Sequence, residues 1–316
     1  MKFGLVILNN EIHDKWFDWI ENTSINTVGI HPRGGANAVT SLNETVEFVK
    51  SEKGKAFLQK LKDKGYEYEY EYHALSWMLK RESEEVPHDW WRTDNFGEKK
   101  NDNNMCVSNE DALECIEQRA YELASVLVPT NGKYYMWMDD IENKKCFCEK
   151  CKELTTSDQA LLVANRMLKG IRRFNPQATL CYLAYKDTLD VPKKIKPDDG
   201  IFLEFAPMER SYSAAINDPD CEINRMHVEK MKDLLAFFGT KNSAVLEYWI
   251  DNSFYSDFKK PAKKFPFNPE IAKKDIAFYK SQGFEKITSF AGYFDLEYVK
   301  MHGEPPVRDY AEIKID

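Results

Sequence analysis

The sequence predicts an α/β protein built as a single (β/α)8 TIM barrel, and three observations lead to this prediction. Short apolar segments alternate with amphipathic helical ones along the chain, as expected for parallel strands joined by helices. Eight strand-like segments can be counted, which fits a closed barrel. No Gly/Ser-rich linker or change in composition divides residues 1–316, so we expect one domain. A doubly wound open sheet is the alternative, but no G-x-G-x-x-G motif follows the first strand.

The strands are predicted from two kinds of pattern. Residues 66–75, YEYEYEYHAL, alternate with a period of two, which is a strong strand signal. Residues 134–138, YYMWM, are a short apolar run typical of a strand that is buried on both faces. The predicted strands are residues 3–8, 26–31, 66–75, 134–138, 178–185, 200–206, 243–250 and 286–292.

Helices are predicted in the segments that separate these strands. Ser108 or Asn109 is expected to cap a helix that runs to Val126, and Thr156 with Gln159 matches a capping box for the next helix. Residues 76–105 are polar and are expected to form a long loop after the third strand. A loop of this length in a compact domain is usually functional or disordered.

Composition and charge exclude several classes of function. The net charge of −8 argues against a nucleic-acid or anionic-membrane partner. No apolar run approaches the roughly 20 residues that cross a bilayer. The first residues, MKFGLVILNNE, have a six-residue apolar run that is too short for a secretory signal, so they are predicted to be a strand. We therefore expect a cytoplasmic protein, with secretion as the alternative, and the oligomeric state is left open.

Polar residues at the carboxyl ends of the predicted strands are the candidates for function, because active sites of such barrels lie there. Asp139 and Asp140 follow the apolar run at 134–138. If the turn brings both into one cavity, their repulsion raises one pKa and keeps that carboxylic acid protonated near neutrality. The alternative is that Asp139 faces the barrel and Asp140 only caps the following turn.

Carboxylates and aromatic residues at several strand ends are typical of a glycosidase, in which one carboxyl group acts as acid and a second group supplies a nucleophile, base or charge. No cofactor is needed for such a reaction. We expect the remaining strand-end residues to contact an oligosaccharide or glycan substrate. They are His31, Arg33, His73, Tyr185, Glu204, Glu247, Tyr248, Trp249, Asp251 and Tyr293.

Several motifs carry a resemblance to known families. M-D-D-I at 138–141 is similar to the D-D-I signature of the β-N-acetylglucosaminidases that remove O-linked GlcNAc. NMCVSNED (104–111), the W-x-D-D that precedes CFCEKC, TTSDQALLVANRM (155–167) and LCYLAY (180–185) resemble a bacterial family of glycosidase-like barrels first described as a domain of unknown function. Some of its members are endo-β-N-acetylglucosaminidases.

This resemblance implies a retaining, substrate-assisted hydrolase of β-linked N-acetylhexosamine glycans. Carried over from the D-D-I family, Asp139 polarises the acetamido group of the substrate. Asp140 first protonates the leaving oxygen and then acts as the base.

Three alternatives remain open at this point. A retaining glycosidase could use Asp140 as acid and Glu247, at the end of the seventh strand, as nucleophile. A carbohydrate-binding barrel without activity would bind the same ligands. A metal-dependent sugar isomerase or hydrolase would need a cage of His, Asp and Glu ligands, and only His31 and His73 stand at strand ends.

The cysteines form an uneven set of seven, which is unlike the paired framework of a small secreted domain. Cys146, Cys148 and Cys151 lie directly after the two aspartates with the spacing C-x-C-x-x-C. Tetrahedral Zn²⁺ takes four ligands, and Cys106 is the candidate for the fourth. We therefore expect a structural zinc at these four residues, with reduced thiols or one disulfide as the alternative.

Overall fold

The computed structural model describes residues 1–81 and 85–315 and confirms the (β/α)8 barrel. Eight parallel strands close in the order β1-β10-β9-β8-β7-β6-β3-β2. The barrel strands are β1 Lys2–Leu8, β2 Thr27–His31, β3 Glu67–His73, β6 Lys133–Trp137, β7 Thr179–Ala184, β8 Ile201–Phe205, β9 Ala244–Glu247 and β10 Lys286–Phe290. Strands β6 and β9 are thus the fourth and seventh of the barrel.

The helices largely follow the predicted segments. They are α1 Lys15–Ile20, α2 Ala38–Lys50, α3 Glu52–Asp63, α4 Leu75–Met78, α5 Glu110–Val126, α6 Thr156–Phe174, α7 Glu222–Phe238, α8 Asn252–Tyr255, α9 Pro269–Ser281, α10 Leu296–His302 and α11 Val307–Ala311. Among the described residues, none of these helices has the length and apolar character of a membrane span.

The described residues group into two compact units. The first comprises Met1–His31, Lys60–Tyr68 and Leu203–Asp316, and the second comprises Pro32–Gln59 and Glu69–Phe202. In the second unit, helices α5 and α6 pack closely because Gly170 has no side chain. A Cβ at that position would lie 2.0 Å from the carbonyl oxygen of Glu117.

The barrel strands are buried on both faces, which explains their composition. In β3 the tyrosines and the intervening Glu69 and Glu71 are all buried, and both glutamates are 0% exposed. One face of a barrel strand packs into the barrel and the other against the helices, so alternation of polar and apolar residues here does not mean alternation of exposure.

The long segment after β3 is more ordered than predicted. It contains the short helix α4 and an antiparallel pair, β4 Arg92–Thr93 with β5 Lys99–Lys100, whose register joins Arg92 to Lys100. Residues 82–84 of the predicted loop lie outside the described residues. The structure therefore corrects the prediction of one continuous polar loop.

The helix caps show one confirmed prediction and one correction. Asn109 caps α5, with its side-chain oxygen accepting the Ala112 N–H at 2.9 Å. The capping box of α6 lies one residue before the predicted one and pairs Thr155 with Asp158. Gln159 is thereby released from capping and binds the cysteine-containing loop instead.

Candidate functional site

Asp139 lies just beyond the end of β6, and four donors hold its carboxylate. Oδ1 accepts the Ser76 N–H at 2.8 Å, while Oδ2 accepts the Ser76 hydroxyl at 2.8 Å, the Arg81 guanidinium at 2.9 Å and the Asn104 N–H at 2.7 Å. Only 6% of the side chain is exposed. A carboxylate held by four donors anchors its neighbours, and this arrangement argues against the expected role of Asp139 in polarising a substrate.

The groups around Asp139 form a closed network within the second unit. The Asp139 N–H donates back to the Asn104 side chain at 3.2 Å, and Arg81 donates to the Ser76 hydroxyl at 2.6 Å and to the Asn104 carbonyl oxygen. Asn104 has a φ of +50°, in the left-handed region that Asn tolerates better than most residues. Asp139 thus fixes α4 and the segment that leads into α5.

Asp140, in contrast, is partly open to solvent. Its side chain is 26% exposed, and Oδ1 lies 3.4 Å from the Lys186 ammonium. A Cβ at Gly34 would lie 3.1 Å from Asp140 Oδ2, so the glycine at this turn leaves room for the carboxylate. Lys186 has a φ of +49°, a conformation that is costly for lysine. Such strain at a residue that positions a polar group is common at functional sites.

His73, at the end of β3, is oriented by the backbone directly before the two aspartates. Its Nδ1 donates to the carbonyl oxygen of Met138 at 2.6 Å, because a carbonyl can only accept. The neutral tautomer then carries its lone pair on Nε2. The ring packs against Trp137 at 5.0 Å and lies 6.5 Å from the Tyr185 ring, centroid to centroid. The structure therefore groups His73, Asp140, Tyr185 and Lys186.

A narrow cavity of about 50 Å³ runs under this group, between α6 and the strands β6 and β7. Asp187 lines it, and burial raises the pKa of this carboxyl, which also accepts the Asn143 N–H at 2.9 Å. Sites for small-molecule ligands usually measure roughly 300–1,000 Å³. This cavity is too small for a sugar ring, so a glycan would have to contact Asp140 from the open side.

Arg33, also predicted as a substrate contact, lies on the surface of the second unit. Its guanidinium is 3.4 Å from Glu44, and the two side chains are 39% and 48% exposed. Such exposed pairs contribute little to stability.

Asp102 ties the β4–β5 pair to the loop that follows Asp140. Its carboxylate receives Arg92 Nε at 2.8 Å, Arg92 Nη2 at 2.6 Å and Lys144 Nζ at 2.8 Å. Burial alone would raise the pKa of Asp102, but the hydrogen bonds from Arg92 and Lys144 outweigh it and hold the pKa below its ordinary value.

We expect Asp102→Asn to loosen this segment in a pH-dependent way. A carboxyl whose pKa is lowered in the folded state stabilises it above the ordinary value of 3.8, and this contribution is lost as the pH falls through the folded-state pKa. Hydrogen exchange of residues 92–105, corrected for intrinsic rates, should be faster in Asp102→Asn than in the wild type at pH 7. The difference should shrink below pH 3.8. A difference that is constant with pH would contradict this role.

In the first unit, Glu247 belongs to a buried ionic network. Arg210 lies 3.0 Å from Glu247 and is also paired with Asp275, and the side chains of all three are 0% exposed. The Tyr279 hydroxyl donates to Glu247 at 2.5 Å, and Trp249 Nε1 donates to Asp275 at 2.9 Å. Burial raises the pKa of Glu247, and Arg210 opposes this shift.

This burial argues against Glu247 as a nucleophile, since a nucleophile must reach the anomeric carbon. Strand β9 ends at Glu247, so the alternation predicted through residue 250 stops there. Tyr248 and Trp249 consequently line the same cavity and do not point to opposite faces.

That cavity, which we call the aromatic cavity, measures about 360 Å³ and lies wholly in the first unit. Asp251 lines it and is 5% exposed, and burial raises the pKa of its carboxyl. Its Oδ1 accepts the N–H and hydroxyl of Ser253 at 2.9 and 2.6 Å, which caps α8. The aromatic side chains that line the cavity are Tyr212, Tyr248, Trp249, Phe254, Tyr255 and Phe265.

Three other predicted contacts of the first unit differ in their access to solvent. His31 is 6% exposed and packs edge-on against Phe290 with centroids 4.8 Å apart, and Glu204 is 0% exposed. The burial of both side chains argues against direct contact with a substrate, and their expected role stays a prediction. Tyr293 is half-buried, its N–H donates to Glu11 at 2.6 Å, and Lys260 lies 4.8 Å over its ring.

Four cysteines of the second unit converge at one point. The sulfur atoms of Cys106, Cys146, Cys148 and Cys151 all lie within 4.8 Å of one another. We call this group the four-cysteine cluster. Potential metal ligands were sought among the His, Cys, Asp and Glu side chains of residues 1–81 and 85–315. The four-cysteine cluster is the group found there whose ligand atoms are close enough to share a metal ion.

Sequence reasoning did not find the partners that distinguish the two aspartates. Arg81 and Asn104 lie 58 and 35 positions before Asp139, and neither the sequence around Arg81 nor the motif that begins at Asn104 indicates contact with Asp139. Lys186 was visible only as a polar residue at the end of the fifth barrel strand. The spacing within a motif cannot show which distant side chain folds back onto it.

Comparisons with solved structures find barrels of similar fold. The structure of ZgEngAGH5_4 in complex with a cellotriose matches with a TM-score of 0.51 and 13% identity over 97% of this chain and 89% of that one. The Bacteroides ovatus GH5 xyloglucanase in complex with a XXXG heptasaccharide matches with a TM-score of 0.52 and 13% identity over 99% and 74%. The chitinase RmChi1 from Rhizomucor miehei matches with a TM-score of 0.51 and 8% identity over 94% and 95%.

At these identities the likeness establishes the fold. No curated protein matches the sequence significantly. A family model described as Domain of unknown function (DUF4838) matches residues 29–308, nearly the whole barrel. The chain belongs to the DUF4838 family.

Proposed function

We propose that this protein is a glycoside hydrolase in which Asp140 is the general acid and base. The observation that carries the proposal is the contrast between the two aspartates at the end of the fourth barrel strand. The Asp139 side chain is held by four donors and is 6% exposed. The Asp140 side chain is 26% exposed and lies beside Lys186 and close to His73. The fold is shared with a GH5 xyloglucanase and a chitinase, which supports a glycan as the substrate.

We further propose a β-linked N-acetylhexosamine glycan, cleaved with retention through the substrate's own acetamido group. In the first step the acetamido oxygen attacks the anomeric carbon while Asp140 gives its proton to the leaving oxygen. In the second step water attacks that carbon, the bond between the carbon and the acetamido oxygen breaks to restore the acetamido group, and the Asp140 carboxylate takes the water proton. One carboxyl group thus serves both steps, so the buried Glu247 is not required.

Since Asp139 is occupied, other groups must orient the acetamido group. His73 and Tyr185 are the partly exposed side chains on either side of the Asp140 turn, and we assign this contact to them. Their aromatic faces also suit the apolar face of a sugar ring.

The test is hydrolysis of an aryl β-N-acetylglucosaminide and of N-acetylglucosamine oligosaccharides. The proposal predicts turnover, a β-configured first product by NMR, and a rate that falls when the acetamido group is replaced by trifluoroacetamido, whose oxygen is a weaker nucleophile. Equal cleavage of glucosides that lack the acetamido group would contradict substrate assistance. If the protein turns over none of the glycans tested, the proposal that it is a glycoside hydrolase is contradicted.

A carbohydrate-binding barrel without catalysis is the second candidate, and the aromatic cavity favours it. Its volume of about 360 Å³ lies within the usual range for ligand sites. Flat aromatic faces around a cavity can bind sugar rings whether or not a reaction follows.

We expect Tyr255→Ala to weaken binding of oligosaccharides to this cavity by up to about tenfold, or roughly 0.5–1.5 kcal/mol for the loss of one ring. Tyr255 lines the cavity and is 44% exposed, so its removal disturbs packing little. Phe96→Ala is the control, because Phe96 is 84% exposed and belongs to the other unit. Isothermal titration with oligosaccharides measures both, and equal affinities for the two variants would argue against binding in the cavity.

A further inference from the structure

The four-cysteine cluster has distances that fit a bound metal and do not fit disulfides. Cys106 Sγ lies 3.6 Å from Cys148 Sγ and 4.0 Å from Cys151 Sγ. A disulfide bond would bring two sulfurs to about 2.05 Å. Four sulfurs placed tetrahedrally at about 2.3 Å from a zinc ion lie about 3.8 Å from one another.

The backbone around the cluster is held independently of any bond between sulfurs. The Cys146 N–H donates to Gln159 Oε1 at 2.8 Å, and Gln159 Nε2 donates to the carbonyl oxygens of Cys146 at 2.8 Å and Cys151 at 3.3 Å. Gln159 lies on helix α6, so the cysteine loop is fixed to a rigid element. A site whose ligands are positioned by such outer contacts is pre-organised for its ion.

Two polar groups that can donate hydrogen bonds face the sulfur atoms. The Thr93 N–H points to Cys146 Sγ at 3.3 Å, and the Ser108 hydroxyl lies 3.3 Å from Cys106 Sγ and 3.7 Å from Cys148 Sγ. Donors of this kind stabilise the negative charge of thiolates.

We propose that Cys106, Cys146, Cys148 and Cys151 bind one structural Zn²⁺ ion. Four thiolates complete the tetrahedral coordination and leave no position for water or substrate, so the ion does not take part in catalysis. On binding, the thiols release their protons, and no change of oxidation state is involved.

The position of the ion defines what it stabilises. Cys106 is two residues from Asn104, whose N–H binds Asp139, and Cys146 is six residues after Asp140. The ion therefore joins the segment leading into α5 to the loop that follows the two aspartates. This role concerns the structure of the second unit and holds whether or not the protein is a hydrolase.

The experiment measures the metal content of the full chain, purified under reducing conditions without a metal-affinity step. Inductively coupled plasma mass spectrometry should find about one zinc per chain. Co²⁺ exchanged into the site should give the intense visible bands of tetrahedral cobalt and the near-ultraviolet charge transfer of thiolate ligands. This spectroscopic readout does not depend on activity.

Cys148→Ser should lower the zinc content at least about tenfold, since an incomplete ligand set holds the ion weakly. Cys221→Ser is the matched control, because Cys221 lies in the other unit, and it should retain the full zinc content. Loss of zinc in both variants would overturn the assignment of ligands.

Two results on the wild type would overturn the proposal itself even if Cys148→Ser fails to fold. One is a chain without zinc that also fails to take up zinc or cobalt after reduction. The other is a chain that binds iron in preference to zinc, since four thiolates can also hold iron.

Discussion

Replacing Asp140 by asparagine is expected to lower kcat/KM on N-acetylglucosamine oligosaccharides by about 10²–10⁴-fold, because general acid–base catalysis contributes this much. Asparagine keeps the size and polarity of the side chain but cannot give up a proton to the leaving oxygen. The loss should fall mainly on kcat, since substrate contacts remain. Steady-state kinetics with the wild type and Asp140→Asn measure the effect.

Glu142→Gln is the matched control for this prediction. Glu142 lies 3.8 Å from Lys186, compared with 3.4 Å for Asp140, so both variants remove a carboxylate that pairs with the same lysine. Glu142→Gln should keep kcat/KM within a few-fold of the wild type. If the two variants lose equal activity, the effect comes from the lysine and not from proton transfer by Asp140.

Asp139→Ala is expected to lower the free energy of unfolding by about 3–5 kcal/mol, the usual cost of removing one partner of a buried ion pair. The Arg81 side chain is only 9% exposed, and without Asp139 its charge would remain buried and unpaired. The Asn104 N–H and the Ser76 hydroxyl would lose the same acceptor. Urea denaturation measures the change, with fluorescence and circular dichroism as two probes.

A double-mutant cycle that combines Asp139→Ala with Arg81→Met tests whether the unpaired Arg81 charge causes the loss of stability. If the buried charge accounts for the cost, the double variant should be more stable than the sum of the single effects implies, with a coupling of about 0.5–3 kcal/mol. Asp139→Ala with unchanged stability would show that Asp139 is not the anchor that its four hydrogen bonds indicate.

The fold could be predicted because each barrel strand carries its own local signal. The apolar run YYMWM and the alternating YEYEYEY both became barrel strands, β6 and β3. The signal failed where a strand is shorter than its apolar run. Residues 243–250 are all buried, but the strand ends at Glu247, so burial in a turn was mistaken for burial in a strand.

The sequence singles out two adjacent aspartates after a buried strand as the candidate site, and their role stays a prediction. Nothing local in the sequence distinguishes Asp139 from Asp140. Their difference arises from Arg81 and Asn104, which reach Asp139 only after the chain has folded. The same holds for Glu247, whose position at a strand end implied access to substrate until Arg210 and Tyr279 were seen to enclose it.

The convergence of the four cysteines was more predictable, because three of them lie within six residues of one another in sequence. C-x-C-x-x-C placed three sulfurs in one loop, and Cys106 joined them as the fourth member of the cluster. The contribution of Gln159 was missed for a simple reason. Its sequence position matched a capping box, but Asp158 took that role.

The division of roles between Asp139 and Asp140 is tested most directly by the dependence of rate on the leaving group. A series of aryl β-N-acetylglucosaminides with different phenol pKa values should be measured with the wild type, Asp140→Asn and Asp139→Asn. We expect Asp140→Asn to show a much steeper dependence than the wild type, because poor leaving groups need a proton that this variant cannot supply. Folded Asp139→Asn should keep the wild-type slope. A steep dependence in Asp139→Asn together with a wild-type slope in Asp140→Asn would exchange the two roles and contradict the account.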